Sequence, residues 1–124
     1  MTLVIGGAYQ GKLEYVMGKH QGKTVCQCSI DNPEMDLSAD VINSFHLMTL
    51  AQVRAGIDAL AYINEKLPEM KDKIIISDDI SCGVVPVDPE TRQWRETNGR
   101  CLALLSKNAD EVIRVFCGIE SRIK

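Results

Sequence analysis

The chain has 124 residues, of which 45% are hydrophobic and 25% are charged, a balance typical of one globular domain. Its formal net charge of −3 provides no basic surface for a nucleic-acid backbone, so we expect no nucleic-acid partner. No apolar run approaches the roughly 20 residues of a membrane span, and no positively charged leader opens the chain. We therefore predict one cytoplasmic domain over residues 1–124.

The cysteines are expected to be reduced thiols without a metal. Their number is odd and no secretory leader precedes them, which fits the cytosol better than a disulfide framework. Cys26 and Cys28 are separated by one residue, whereas zinc ligands usually have roughly two to four residues between them. The full set is Cys26, Cys28, Cys82, Cys101 and Cys117.

The first half of the chain is predicted to open with a buried strand and to become mainly helical. Apolar residues that run together or alternate indicate strands, and apolar residues at a spacing of about 3.6 indicate helices. Pro68 ends the last of these helices. The predicted elements are a strand at 2–5, a helix at 12–18, a strand at 24–28, a short helix at 37–47 and a long helix at 49–66.

The second half continues the alternation of strand and helix. Residues 74–76 are three consecutive isoleucines and predict the strongest strand of the chain. Asp88 is suited to cap a helix whose first position is Pro89, and that helix extends to about residue 106. Residues 112–116 predict a last strand, followed by a short tail. The order predicts an α/β fold with a mostly parallel sheet and helices on both faces.

A glycine-rich loop joins the first strand to the first helix and has the spacing of a P-loop. Glycines allow the backbone N–H groups to converge on an anion, Lys12 adds a positive charge, and the helix presents its N-terminus. Leu13 stands where Ser or Thr usually binds magnesium. The alternative is an ordinary strand-to-helix turn. The predicted phosphate site consists of Gly6, Gly7, Ala8, Tyr9, Gln10, Gly11, Lys12 and Leu13.

Two aspartates, Asp78 and Asp79, follow the isoleucine strand with one residue between them and it. Ligands of open α/β sheets bind at the carboxyl ends of the strands, where these carboxylates are expected. Either one can hold magnesium directly or through water. The alternative is that the aspartates only solvate the end of the strand.

Arginines and histidines are weaker candidates. Arg92 and Arg95 share a helix face, where they can clamp a phosphate or pair with glutamates of the same helix. A solvated helix face is the simpler interpretation. His20 lies in a polar turn, and His46 is expected to be a partly buried structural residue, because neither has an identified catalytic partner.

Several motifs of the second half together resemble the adenosylcobinamide kinase / adenosylcobinamide-phosphate guanylyltransferase family. Each is short, but together they are specific, and with the phosphate loop the resemblance covers both ends of the chain. They are Gly-Val-Val-Pro at 83–86, Arg-Gln-Trp-Arg-Glu at 92–96, Gly-Arg at 99–100, Ala-Asp-Glu-Val at 109–112, and the closing Gly118, Ile123 and Lys124. The glycines and lysine of the phosphate loop match as well.

The resemblance implies a role in cobalamin (cobamide) biosynthesis. The family phosphorylates a hydroxyl of adenosylcobinamide with GTP or ATP and Mg²⁺, and then transfers GMP from GTP through a histidine. It implies a P-loop NTPase-like fold, nucleotide and corrinoid ligands, and a homotrimer. By position, it assigns phosphate binding to residues 6–12 and an acidic role to Asp79. We therefore predict Lys12 and Asp79 as catalytic residues and Asp78 and Asp79 as the metal ligands.

The chain departs from the family pattern at four places. Leu13 replaces the magnesium-binding hydroxyl, Asp79 stands where Glu is usual, and Leu102 stands where Asn is usual. The middle of the chain is much shorter, and the family's histidine segment has no counterpart. We therefore do not assign His46 as the GMP carrier. The alternative function is a catalytically degenerate nucleotide-binding or regulatory module of the same fold.

Overall fold

A computed structural model describes residues 1–8, 10–80 and 88–124 of the chain. Tyr9 of the predicted phosphate loop and residues 81–87, which include the Gly-Val-Val-Pro motif, lie outside the described residues. Among the described residues, no helix combines the length and the apolar character needed to cross a membrane.

The strands of the described residues join in one sheet with the order β2-β3-β4-β1-β5-β6. All neighbours are parallel except β6, which runs antiparallel to β5. This arrangement confirms the predicted α/β class and the mostly parallel sheet. The strands are β1 at Thr2–Gly6, β2 at Val25–Gln27, β3 at Val41–Asn43, β4 at Ile74–Asp78, β5 at Glu111–Phe116 and β6 at Ile119–Arg122.

Helices cover both faces of the sheet, as predicted. Val4 of β1 packs with Val16 of α1 on one face, whereas Leu3 packs in a second cluster with Phe45 of α2 and Leu105 of α4. Successive strand residues point to opposite faces, so each interior strand contributes to both cores. The helices are α1 at Lys12–Lys19, α2 at Phe45–Ala55, α3 at Ala59–Lys66 and α4 at Pro89–Asn108.

The helix predicted at 37–47 is wrong, because a strand occupies the middle of that segment. Val41 and Ile42 of β3 are both fully buried, on opposite faces of the sheet. A β-branched pair suits an interior parallel strand, which is apolar on both faces and therefore lacks the alternation of a half-buried strand. The following helix, α2, begins only at Phe45.

The helix predicted at 49–66 is divided in two. Gly56 ends α2 with a positive φ of 72°, a conformation that favours glycine. Asp58 then caps α3 by accepting a hydrogen bond from the N–H of Ala61 at 3.1 Å. The break lets the chain turn between the two helices, so both can pack on the same face of the sheet.

The last part of the chain forms a hairpin instead of the expected tail. Cys117 and Gly118 have positive φ values of 51° and 76°, which is typical of the tight turns that join antiparallel strands. The hairpin places β6 at the edge of the sheet. Earlier in this half, Asp88 caps α4 as predicted, accepting from the N–H of Thr91 at 2.8 Å.

The cysteines of the described residues are free. Burial raises the pKa of the Cys28 thiol to about 12, and the neighbouring Cys26 adds to the shift. Burial likewise raises the pKa of Cys101 to about 12. Both thiols are therefore protonated packing residues at neutral pH, and neither is disposed to act as a thiolate ligand or nucleophile.

Candidate functional site

The glycine-rich loop connects β1 to α1, and its two outer glycines are required for different reasons. A Cβ on Gly6 would lie 2.4 Å from the carbonyl oxygen of Val115, so only glycine fits where the strand end passes β5. Gly11 precedes α1 with a φ of 82°, in the left-handed region. That conformation is open to glycine at little cost, and it directs the loop into the helix N-terminus.

Gln10 ties the loop to the hairpin at the end of the chain. Its carbonyl oxygen accepts a hydrogen bond from the N–H of Gly118 at 2.8 Å. Its side-chain Oε1 accepts from the N–H of Cys117 at 2.7 Å. The loop is therefore supported by the β5–β6 turn as well as by its own glycines.

Lys12 lies at the centre of the site and is almost fully buried, with 8% of its side chain exposed. Its Nζ donates to the carbonyl oxygen of Gly7 at 2.7 Å and lies 2.6 Å from Oδ1 of Asp78. A buried ammonium without a counter-charge is costly, and Asp78 supplies that charge. The loop thus holds its own lysine in place next to the N-terminus of α1.

The two predicted aspartates lie on opposite faces of the sheet. Asp78 is the last residue of β4, is paired in register with Gly6, and contacts Lys12 on the α1 face. The N–H of Asp79 donates to the carbonyl oxygen of Gly6 at 2.8 Å. Asp79 borders shallow cavities of about 210 and 140 Å³ with Ile5 on the α4 face. The structure therefore brings Asp78, and not Asp79, to Lys12.

His46, at the start of α2, joins this group, and sequence reasoning missed its partner. The residue is 8% exposed. Its Nδ1 accepts a hydrogen bond from the backbone N–H of Asp78 at 3.0 Å, and its Nε2 lies 3.4 Å from Oδ2 of the same residue. Burial lowers the pKa of His46 below 6.5, against an opposing effect of Asp78, and Lys12 lowers it further.

These contacts fix the tautomer of His46. A neutral imidazole has one donor and one acceptor nitrogen. Because Nδ1 accepts the N–H of Asp78, the proton resides on Nε2, which faces the Asp78 carboxylate. The carboxylate is thus held from two sides, by Lys12 at Oδ1 and by His46 at Oδ2.

Helix α4 holds the start of α2 in position. Trp94 donates from Nε1 to the carbonyl oxygen of His46 at 2.7 Å, and the Thr49 hydroxyl lies 2.9 Å from the same oxygen. Trp94 belongs to the Arg-Gln-Trp-Arg-Glu motif of the resemblance. The motif therefore contacts the site through the hydrogen bond from Trp94 to His46.

The arginine candidates lie on α4, where ion pairs occupy part of the helix surface. Arg100 pairs with Glu96 at 2.5 Å, and Glu90 pairs with Arg54 at 3.0 Å. Arg92 is exposed. Pairs of this kind between exposed side chains contribute little to stability, so the solvated-face interpretation fits Arg92 and Arg100.

A cleft of about 330 Å³ lies beside Lys12. Of the predicted phosphate-site residues, Ala8, Gln10, Gly11, Lys12 and Leu13 line it, and Asp78 and His46 close its far side. Asn43 and Ser44, at the end of β3, and Glu14 of α1 complete the wall. The cleft lies at the carboxyl ends of parallel strands, the usual location of ligands in open α/β sheets.

A larger groove of about 510 Å³ lies at the opposite edge of the sheet, beside Met1 and Asp110. It is bordered by strand beginnings and by the residues around Pro68. Among the described residues, neither the glycine-rich loop nor the carboxyl end of a parallel strand lines this groove. We therefore assign the candidate site to the smaller cleft at Lys12.

The donor set of the cleft fits a magnesium ion that is shared with a nucleotide. Within the described residues, no group of three His, Cys, Asp or Glu side chains is arranged to hold a metal. Asp78 supplies one carboxylate, and Leu13 presents only hydrocarbon to the cleft. Mg²⁺ is commonly bound through one or two protein oxygens, with phosphates and water completing its shell.

A protein-family model described as cobinamide kinase / cobinamide phosphate guanyltransferase matches residues 36–123. The chain belongs to this family. Membership confirms the resemblance and the P-loop NTPase-like α/β fold, and it supports a kinase or guanylyltransferase role in cobamide biosynthesis. The match begins after the phosphate loop, so the assignment of that loop depends on its geometry. No curated protein matches the chain.

Proposed function

We propose that the chain binds GTP or ATP with its phosphates in the cleft at Lys12. The observation that carries this proposal is the buried Lys12 ammonium, held between the Gly7 carbonyl and Asp78 at the start of α1. A lysine in a glycine-rich loop at a helix N-terminus is suited to the phosphates of a nucleotide. Family membership supports a nucleotide as the general class of ligand.

Nucleotide binding exchanges one anion for another at Lys12. The ammonium leaves Asp78 for the phosphate oxygens, while the N–H groups of the loop and of α1 surround the same phosphate. The Asp78 carboxylate then becomes available to Mg²⁺, directly or through water. His46, which accepts the backbone N–H of Asp78 and has Nε2 3.4 Å from its Oδ2, keeps that residue at the cleft during the exchange.

The reaction that we propose is phosphorylation of the hydroxyl of adenosylcobinamide. The hydroxyl oxygen bonds to the terminal phosphorus, the bond to the bridging oxygen breaks, and a nucleoside diphosphate leaves. Lys12 neutralises charge on the transferred group. Asp79 borders a cavity of about 140 Å³ that Gly7 and Gln10 of the same loop also line, and we propose that it accepts the proton of a hydroxyl bound on that side of the loop.

Guanylyl transfer is less well supported by the residues of the cleft. His46 uses Nδ1 to accept the N–H of Asp78 and directs Nε2 to the Asp78 carboxylate. Neither nitrogen is presented to the cleft as a nucleophile. We therefore propose the kinase reaction as the activity and do not assign His46 as a carrier of GMP.

A second candidate is a nucleotide-binding module that does not turn over. The specific observation in its favour is Leu13, which presents hydrocarbon where the metal-binding hydroxyl is usual. Under this alternative, GTP or ATP binds and adenosylcobinamide is not phosphorylated. Under the kinase proposal, labelled phosphate appears on the corrinoid at a rate that depends on Mg²⁺.

Calorimetric titration with GTP and ATP tests the binding proposal. Lys12→Met keeps the apolar stem but removes the charge, and we expect it to weaken nucleotide binding roughly 10- to 100-fold, the value of a charge-assisted contact. Lys19→Met, at the exposed end of α1, is the matched control and should bind as the wild type does. Equal affinities for Lys12→Met and wild type would refute the site.

The trimeric assembly implied by the resemblance remains a prediction. The edge hairpin exposes Phe116 and Ile119, with 63% and 71% of their surface accessible. Apolar side chains on an uncovered edge strand suit contact with another chain. A mass measurement in solution distinguishes a trimer from a monomer.

A further inference from the structure

Asn43 and Ser44 lie at the carboxyl end of β3 and line the same cleft as Lys12, Leu13 and Asp78. Strand β3 is the neighbour of β4, so its end faces the same side of the site as Asp78. Both side chains carry an oxygen, and neither was a candidate from the sequence. Because both residues line the cleft, their oxygens can contact a ligand that is bound there.

Ser44 occupies the N-cap position of α2 but does not act as a cap. An N-cap serine is normally extended, and its hydroxyl accepts a hydrogen bond from the first turn. Here the backbone has φ 59° and ψ 44°, and the side chain makes no capping bond. The helix therefore does not use the hydroxyl, although Ser44 holds a left-handed conformation that is rare for residues other than glycine.

Asn43 is oriented by a chain of amide contacts. Gln27 donates from Nε2 to the carbonyl oxygen of Cys28 at 3.2 Å, which leaves its Oε1 as an acceptor. Asn43 donates from Nδ2 to that oxygen at 2.6 Å. Because the amide nitrogen donates in this contact, Oδ1 is the atom of Asn43 that can accept a hydrogen bond or bind a cation.

We propose that Oγ of Ser44 and Oδ1 of Asn43 are ligands of the nucleotide-bound Mg²⁺ and replace the hydroxyl that is missing at Leu13. The inference rests on the proposed nucleotide site. Hydroxyl, amide and carboxylate oxygens are all ligands that Mg²⁺ accepts. Both residues line the same cleft as Asp78, and Glu14 of α1 adds a second carboxylate residue to that lining.

The quantity to measure is the metal coupling, which is the ratio of GTP affinity with MgCl₂ to GTP affinity with EDTA. Ser44→Gly removes the hydroxyl and suits the left-handed backbone, so the variant is expected to fold at least as well as wild type. We expect this change to lower the metal coupling by a factor on the order of ten. Asn43→Ala should lower it as well, with the melting temperature recorded for both variants.

A rescue experiment separates a ligand role from a structural one. Adding Leu13→Ser to Ser44→Gly returns a hydroxyl to the usual place after the lysine and should restore most of the lost coupling. Ser121→Ala, on the exposed edge strand, is the control and should leave the coupling unchanged. Binding of Mn²⁺ in the presence of GTP, followed by paramagnetic resonance, gives a readout independent of turnover.

The outcomes distinguish this inference from the proposed function. If GTP and ATP fail to bind with and without Mg²⁺, the proposed nucleotide site is wrong. If both bind but Ser44→Gly and Asn43→Ala keep the wild-type coupling, the site stands and the ligand assignment is overturned. Loss of coupling that Leu13→Ser restores supports the assignment.

Discussion

The first 35 residues and the remainder of the chain contribute to the site in different ways. The family match covers residues 36–123 and excludes the phosphate loop. The loop, in turn, has a recognisable motif but no family signal of its own. Yet Lys12 from the first region is neutralised by Asp78 from the second. The cleft is thus formed by two segments. One contains the glycine-rich motif, and the other lies in the region that the family model matches.

The two regions contribute different parts of the cleft. The matched region identifies the family and contributes the wall of the cleft, with Trp94 holding His46 and His46 holding Asp78. The unmatched region contributes the glycine-rich loop and the buried Lys12, which are proposed to bind the phosphates. If the two regions form one working site, changes on either side of the boundary should alter nucleotide binding.

The largest effect is expected at Gly6, where the loop leaves the sheet. Gly6→Ala places a Cβ 2.4 Å from the backbone oxygen of Val115, which cannot move without separating β1 from β5. We expect a loss of about 3 kcal/mol in the free energy of unfolding, the upper range for overpacking. Urea denaturation measures it.

Gly18→Ala is the control for this prediction. Gly18 lies within α1 and a Cβ there meets nothing within 4 Å. Alanine in a helix is more favourable than glycine by roughly 0.5–1 kcal/mol, so this variant should be slightly more stable. Equal destabilisation of the two variants would contradict the role given to Gly6.

An intermediate effect is expected from the two aspartates. Asp78→Asn removes the counter-charge of buried Lys12 and should cost about 2 kcal/mol of unfolding free energy. This is less than breaking a fully buried pair, because 23% of the Asp78 side chain is exposed. Asp79→Asn should leave nucleotide affinity within about twofold but abolish turnover, as expected for a lost proton acceptor.

Titration and denaturation of both variants check this contrast. A loss of unfolding free energy in Asp79→Asn, equal to that in Asp78→Asn, would show that the two carboxylates share one role. In that case, the location of Asp78 and Asp79 on opposite faces of the sheet would make no difference to function.

The smallest effect concerns pH and His46. Its pKa is lowered in the folded protein, so between that pKa and about 6.5 the unfolded chain binds more protons than the folded chain. Stability should therefore fall as the pH decreases below about 6.5 in metal-free protein. His46→Asn, which keeps an acceptor and a donor, should flatten this dependence.

Nitrogen NMR provides a direct check of the His46 assignment. The hydrogen bond from the Asp78 N–H to Nδ1 and the lowered pKa predict a neutral ring at pH 7 with its proton on Nε2. A ring protonated at both nitrogens at that pH would contradict both the tautomer and the sign of the pH effect. His20, at the partly exposed end of α1, provides an internal reference.

Local signals explain which elements the sequence could predict. The isoleucines of β4, the Asp88 cap and the glycines of the loop each act within a few residues, and the structure has all of them. Val41 and Ile42 were assigned to a helix because a buried parallel strand shows no alternation. That error also displaced the start of α2, and with it the position of His46.

The contacts of the site depend on distant pairings and therefore had no local signal. Only the register of β4 against β1 decides that Asp78 faces Lys12. His46 and Asp78 are separated by 32 positions and meet because β3 and β4 are neighbours. Oxygen atoms at the end of β3, in Asn43 and Ser44, were missed for the same reason.

The two hydrogen bonds between Gln10 and the β5–β6 turn have a consequence for when the glycine-rich loop can fold during synthesis. Gln10 is synthesised long before its partners, the N–H groups of Cys117 and Gly118, because 107 positions separate Gln10 from Cys117. Closing so long a loop costs chain entropy before any contact rewards it. On the ribosome, the loop must therefore wait until the β5–β6 turn, 107 positions later, has emerged, and the proposed nucleotide site should form only after that point.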